Sequence, residues 1–445
     1  MLNRPQPGSH LQLSFTDLSH DGAAVGRWND YVLFVPDGLP GETGDVVVTE
    51  ARARWGRARL EKVVVSSPER VEAPCPYYPT CGGCQLQHLS ASGQLAYKTS
   101  QVREAMARVG HLQGLEVRPC IGMDHPWAYR NKAQFVVGNP LAVGLYERGS
   151  HRVVGIDRCL IQSDLNNRVL QAASEAVARA GWEPYDERTG LGLLRHVISR
   201  TTAAQDGALL TLVVTHPPGL EVATEVMAAV PEVKGVWFNV NPRPGNAILG
   251  PEFHRLAGAD HLVERVAGLR MSVSPGSFFQ VNPTMLETML RLVQEAAAPH
   301  PGDFLVDAYC GTGIMALHLA RHSGRVLGIE EFAPAVEDAR ANARLNEIAN
   351  AAFEAGRVED ILAELDWAPD VLVMDPPRKG CHPAVLEAIA RRRVRRLVYV
   401  SCNPSTQARD LGWLVEHGYG VRSLQPLDMF PQTVHVECVA VLEAV

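Results

Sequence analysis

At 445 residues the chain is too long for a single hydrophobic core, so two or three domains are expected, and 46% apolar with 20% charged residues is the balance of a soluble globular protein. No apolar run reaches the roughly 18 residues of a membrane-spanning helix, and the opening MLNRPQPGSH lacks a signal peptide's apolar core. That excludes a membrane partner and leads us to expect the cytoplasm, where the nine cysteines would be metal ligands, catalytic thiols or buried apolar residues rather than disulfides. A formal net charge of −7 excludes a generic polyanion binder, so any nucleic acid would be met by local basic patches.

Residues 1–68 read as a small β-barrel. Short apolar runs at Leu11–Phe15, Tyr31–Val35, Asp45–Thr49 and Ala58–Val65 are punctuated by turns such as Pro36-Asp37-Gly38 and Pro40-Gly41. Arg52, Arg54, Arg57 and Arg59 surround Trp55 near the junction of the third and fourth runs. The cluster suits phosphate contact with stacking on a base, and a solvated hairpin around one half-buried tryptophan accounts for it equally well.

Residues 69–265 read as a mixed α+β segment. Its opening, Cys75-Pro-Tyr-Tyr-Pro-Thr-Cys81-Gly-Gly-Cys84, holds three thiols on a loop whose prolines and glycines let it fold around a compact metal centre. A fourth ligand must come from elsewhere; Cys159 is the first candidate and Cys120 the second. Four thiolates suit either an iron–sulfur cluster or structural zinc. A radical enzyme would leave one iron open, so a fourth thiol points to a closed, structural centre. A helix is predicted over Gly93–Val109, followed by strands such as Ala133–Val137, Leu209–Val214 and Gly235–Val240.

Residues 266–445 alternate apolar strands with Ala/Leu/Arg-rich helices, the α/β pattern of a doubly wound parallel sheet. Asp303–Asp307 leads through Gly311-Thr-Gly313 into a helix from Ile314, which makes a ligand seat at a helix N-terminus. The next strand, Arg325–Glu330, ends in a carboxylate suited to ribose hydroxyls. Dinucleotide binding competes with nucleoside binding here, and Ala316 in place of the third motif glycine leans only slightly against it. Asp375-Pro376-Pro377 then forms a rigid turn that fixes a carboxylate over the pocket.

Arg396–Val400 runs into Ser401-Cys402-Asn403-Pro404, which sets a thiol at a strand's C-terminal edge, where α/β folds do chemistry. The run Thr433–Glu437 is read as a further strand with Glu437 at its end and His435 on the same face. Asp375, Cys402 and Glu437 are expected to converge on one pocket. Cys310, Cys381 and Cys438 are read as packing or loop thiols, and His435 as a structural hydrogen-bonding residue.

Together these motifs resemble the RNA uracil-C5 methyltransferases that use S-adenosylmethionine. The resemblance is carried by Ser274–Asn282 (SPGSFFQVN), Asp307–Gly313, Asp375–Gly380, Ser401–Ser405 and Met429–Glu437, and it covers nearly the whole chain. It implies a Rossmann-like methyltransferase domain over 266–445, a TRAM-like RNA-binding barrel over 1–68, and a central iron–sulfur and RNA-binding domain over 69–265. The cysteine set matches the family's [4Fe-4S] subgroup, with Cys159 as fourth ligand to Cys75, Cys81 and Cys84. Because barrel and cluster are typical of the 23S rRNA branch, the implied partner is 23S rRNA, with transfer RNA the alternative; a monomer is expected. Gln280, Tyr309, Glu330 and Asp375 would line the cofactor pocket.

By the same resemblance, Cys402 attacks uracil C6, C5 takes the methyl group, and Glu437 removes the C5 proton so that the thiolate can leave. The base would be flipped out to reach the thiol, with Phe278 or Phe279 packing near it. Two other classes compete. An amino-methyltransferase acting on a base or glutamine also uses an acid-Pro-Pro turn but needs no cysteine. A non-catalytic RNA-binding factor needs no Cys402, Glu437 and cofactor pocket together.

Overall fold

A computed structural model describes residues 4–445. Strands β1 (His10–Leu18), β2 (Ala24–Trp28), β3 (Tyr31–Val35), β4 (Thr43–Ala51) and β5 (Trp55–Val65) close into a barrel in the order β1-β2-β3-β5-β4. Alternation fills its interior, with Tyr31, Leu33 and Val35 pointing in against Phe15 and Val46. The strand absent from the sequence reading is β2: AVGRW carries one glycine and one arginine in five residues and shows no apolar run. It is placed by pairing with β1 and β3 rather than by its own pattern.

Helix α1 (Ala91–Arg108) starts at Ser90, whose hydroxyl caps it by accepting the Gly93 N–H. The central sheet uses β6 (Lys132–Gly138), β7 (Ala142–Tyr146), β8 (Val153–Gly155), β9 (Leu194–Thr201), β10 (Ala208–Val214), β11 (Val233–Val240) and β12 (Glu252–Gly258), in the order β12-β11-β10-β9-β6-β7-β8. Helices α2 (Asp164–Ala180) and α3 (Glu221–Ala229) join its core; Val169, Ala173 and Val177 of α2 and Val222 and Val226 of α3 are buried there.

A hairpin of β13 (Leu262–Val266) and β14 (Leu269–Val273) and helix α4 (Pro283–Ala297) lead into the last sheet. It contains β15 (Phe304–Ala308), β16 (Arg325–Glu330), β17 (Ala351–Ala355), β18 (Val371–Met374), β19 (Arg396–Ser401), β20 (Tyr419–Leu427) and β21 (Glu437–Ala444). Helices α5 (Ile314–Ala320), α6 (Ala333–Leu345), α7 (Val358–Glu364), α8 (Pro383–Arg392) and α9 (Pro404–Glu416) connect them. The order is β17-β16-β15-β18-β19-β21-β20, so the winding direction reverses beside β15, where such sheets bind ligands. The sheet is mixed rather than wholly parallel, because β21 runs antiparallel to β19 and β20.

The segments are keyed together by polar contacts. Buried Lys98 of α1 donates to Asp428 Oδ1 at 2.5 Å and to the Phe430 carbonyl at 3.1 Å, in the link between β20 and β21. The end of α1 lies directly on α9: a Cβ added at Gly412 would stand 2.6 Å from the Gly110 carbonyl oxygen, so only glycine allows the approach. Among the described residues no helix is long and apolar enough to cross a membrane.

Candidate active site

The C-terminal edge of β15, β16 and β18 is acidic. Asp307, next to last in β15, lies inside the fold and accepts the Ala316 N–H at 2.8 Å, which ties the strand to the first turn of α5. Burial, with Asp375 and Glu330 nearby, pushes its carboxyl up to about 8. Glu330 holds the glycine turn from the next strand, accepting the Gly311 N–H at 3.1 Å and the Phe332 N–H at 2.8 Å. Between them Tyr309, Gly311 and Gly313 adopt left-handed φ angles of 66°, 54° and 84°; a Cβ at Gly313 would meet Phe353 at 2.9 Å. Burial likewise raises Asp375 to about 7. Buried carboxyls raised in this way would be favoured in their charged form by a positively charged ligand beside them.

One strand further along, β19 ends at Ser401 and delivers half-buried Cys402. Asn403 caps α9 by accepting the Ser405 N–H at 3.1 Å and, with Thr406, donates to the Arg378 carbonyl at 2.9 and 3.2 Å. This fastens the Asp-Pro-Pro-Arg turn to the Cys-Asn-Pro turn. The Arg378 guanidinium lies 3.3 Å from His435 Nδ1 and lowers the Cys402 thiol against burial, Glu437 and Asp375, which push it up to about 11. His435 is pressed down to about 4 by burial and by Arg378, Lys98 and Arg130, and is neutral at physiological pH. Arg378 was not singled out by the sequence reading, although it sits inside the quoted turn.

Glu437 corrects one expectation. Residues 433–436 are irregular, so Glu437 opens β21 instead of closing a strand, and His435 shares no strand face with it. Because β21 is antiparallel to β19 and pairs Cys438 with Ser401, its start lies at the same edge as the end of β19. Gln407 of α9 locks the two strands there, donating to the Tyr399 and Cys438 carbonyls at 2.9 and 3.0 Å. Glu437 is buried, and burial together with Asp375 holds its carboxyl well above the usual range. Of the aromatic pair Phe278 or Phe279, Phe279 is 3% exposed within the core and Phe278 is 69% exposed, so Phe278 is the one free to meet a ligand. Gln280 is half-buried on the same loop. Cys310, Cys381 and Cys438 are all buried.

Cys402, Arg378 and His435 open into a cleft whose other walls are Gln101 and Arg108 of α1 and His20 of the barrel, so all three segments border the thiol. The arginines around Trp55 are partly spent on neighbouring acids, Arg52 on Glu50, Arg57 on Asp21 and Arg59 on Glu61. Trp55 is 38% exposed and packs edge-on against Phe34.

Cys75, Cys81, Cys84 and Cys159 line one small cavity together with Gln87 and Tyr78. Cys120 lies elsewhere, its N–H held by Thr99 in the core under α1. Among the described residues no three His, Cys, Asp or Glu side chains are gathered as one metal ion requires. Zinc would draw four sulfurs to about 2.3 Å from a point. Four thiols around one cavity are a donor set that a multi-iron cluster or a zinc ion could use.

Buried carboxyls beside a thiol, at the edge of a sheet wound in this way, suit a methyl-transferring enzyme. Comparison with known proteins narrows the class. Residues 262–445 match the family model described as tRNA (Uracil-5-)-methyltransferase, and residues 4–60 match the TRAM domain. An uncharacterized RNA methyltransferase of Listeria innocua is 42% identical over 443 residues, 97% of each chain, and one of Gloeobacter violaceus is 41% identical over 457 residues, 100% of each. The crystal structure of Pyrococcus abyssi tRNA (uracil-54, C5)-methyltransferase with S-adenosyl-L-homocysteine superposes with a TM-score of 0.79 at 26% identity, covering 97% of this chain and 100% of that one. The chain belongs to the RNA uracil-C5 methyltransferase family, and its barrel is a TRAM domain.

Proposed function

We propose that the protein methylates C5 of a uridine in 23S rRNA, with Cys402 as covalent nucleophile and Glu437 as the base. The observation that carries this is the meeting of Asp375, Cys402 and Glu437 at one sheet edge, supplied by three separate strands. Uracil C5 is a weak nucleophile until something adds to C6. Arg378 favours the Cys402 thiolate, which adds to C6 and leaves electron density on C5. S-adenosylmethionine, when bound, supplies the methyl group. Gln280, Tyr309, Glu330 and Asp375 would hold it, the two carboxylates facing its cationic centre and ribose. Glu437 then takes the C5 proton, and the electron pair released expels the Cys402 thiolate. Burial and Asp375 raise its carboxyl, which makes the deprotonated form a stronger base for that step.

Cys75, Cys81, Cys84 and Cys159 would ligate a [4Fe-4S] cluster of structural purpose. Three working segments, 1–68, 69–265 and 266–445, would carry RNA binding, cluster and chemistry. The resemblance to the archaeal tRNA enzyme favours tRNA as a second reading. Mapping 5-methyluridine in both RNAs from a strain lacking the protein decides between them: loss from 23S rRNA is expected, and loss from tRNA alone would replace the substrate. Loss from neither would overturn both.

A further inference from the structure

Resting on the function proposed above, we infer that Arg130 and Lys132, backed by Arg200, seat the phosphodiester backbone of the substrate RNA beside the reacting uridine. Lys132 on β6 and Arg200 on β9 are directly opposed partners in an antiparallel ladder, so both side chains leave the same face. Like charges so placed destabilise a sheet unless something anionic joins them. Among the described residues nothing does so for Lys132. The influences on its ammonium are burial, Arg200 and Arg130, with no carboxylate among them, and they press it down to about 7.

Arg200 is 5% exposed. It spends one nitrogen on the Ser277 carbonyl at 3.0 Å and leaves Nη1 buried without a partner. Its one acidic influence, Glu264, is occupied with the Ala203 and Arg265 N–H groups, both at 2.9 Å.

The location ties these cations to the reaction. The loop 274–282 is fastened onto them twice, by Arg200 at Ser277 and by the Asn131 N–H at the Val281 carbonyl, 2.9 Å away. Between those two points the loop carries exposed Phe278 and then Gln280 of the proposed cofactor pocket. On the other side, Arg130 bears on His435, which borders the Cys402 cleft. Arg378 and Arg130 thus both act on His435, and Arg130 also acts on Lys132, in a protein of net charge −7 whose cleft also holds Asp17, Asp21 and Glu104. The anion that would accompany a uridine entering beside these cations is the uridine's own backbone.

The test uses the full-length enzyme and a short fluorescein-labelled RNA hairpin with a loop uridine, followed by anisotropy across a salt series. Replacing both residues (Arg130→Gln with Lys132→Gln) should weaken binding about tenfold and flatten the slope of log affinity against log salt by about 0.7 for each phosphate no longer neutralised. S-adenosylhomocysteine binding by calorimetry should not change.

Proton linkage adds a second readout. Below the Lys132 value the ammonium is already charged; above it, binding must first take up a proton. Wild-type affinity should therefore fall by up to about tenfold per pH unit above about 7, while Lys132→Arg stays flat. Arg200, held down to about 10, remains charged over that range, and His435, at about 4, remains neutral. Unchanged affinity and slope in the double variant, with wild-type RNA binding intact, would overturn the phosphate seat and leave the methyltransferase reading standing. Parallel loss of S-adenosylhomocysteine binding would overturn it too, by making the cations a support for the 274–282 loop. A wild-type enzyme that neither binds nor methylates RNA would overturn both.

Discussion

Cys402 is held between opposing influences, and the balance is measurable. Burial, Glu437 and Asp375 raise the thiol to about 11, and only Arg378 opposes them. In the free enzyme the thiol is therefore protonated at neutral pH, and its alkylation by iodoacetamide should rise about tenfold per pH unit through the neutral range, read by mass spectrometry of the 402 peptide. Arg378→Gln should slow that alkylation at every pH and move its midpoint upward; an unchanged profile would remove Arg378 from the site. Cys402→Ala should reduce methylation to background while leaving S-adenosylhomocysteine affinity within about twofold, because the role proposed for the thiol is on the RNA. Turnover by that variant would return the amino-methyltransferase alternative. Glu437→Gln separates the two halves of the reaction. Addition and methyl transfer need no proton removed from C5, whereas elimination does, so a methylated protein–RNA adduct should accumulate as a slow band in denaturing electrophoresis. Normal product release without the band would give the proton to another group.

At the scale of elements, one buried ion pair holds the thiol's surroundings in register. Lys98 sits in the i, i+4 row Gln94, Lys98, Val102 and Met106 of α1, all buried, and reaches Asp428 just past the end of β20. The stretch that follows carries His435 and leads to Glu437. Lys98→Met should leave Asp428 uncompensated and cost about 3–5 kcal/mol in urea denaturation, and adding Asp428→Leu should recover most of that loss. A cost near zero for the single variant would mean that water enters and serves the carboxylate. Lys98 was legible in principle, as a charge inside an apolar helical row, but it belongs to no motif. The strand ends that carry Asp307, Glu330, Asp375 and Cys402 could be read because each follows a short apolar run with turn chemistry after it. Glu437 was found for its residue type and misplaced in its strand, since Thr-Val-His-Val alternates like a strand while its backbone is irregular. Strand β2 and the burial of Phe279 depend on partners distant in sequence, which local pattern does not carry.

For the whole molecule, the cysteine loop is the joint on which the segments meet. Arg148, past the end of β7, donates to Asp37 of the barrel at 2.8 Å and to the Cys84 carbonyl at 3.2 Å. Tyr78, inside the loop, donates to the Gln85 carbonyl at 3.0 Å. Gln85 and Leu86 in turn donate their N–H groups to the Gln432 carbonyl, both at 3.0 Å, in the segment that leads to Glu437. The loop backbone thus touches barrel, central sheet and the segment before β21 within a few residues of Cys84. Its side chains supply little core of their own, so its shape would depend on whatever the four thiols hold. Anaerobic purification should yield iron and acid-labile sulfide in equal amounts; zinc alone would replace the cluster by a single-ion site. Removing the metal, or substituting Cys84→Ser, should speed amide exchange about tenfold or more around Asp37, residues 76–89 and Gln432, while β15, β18 and β19, whose residues are buried in the catalytic core, exchange as before. Exchange that rises across the whole chain would make the centre part of global stability instead of a clamp. Exchange unchanged at Asp37 and Gln432 would mean that the barrel and the Glu437 segment keep their positions without it, and the thiols would then serve the central segment alone.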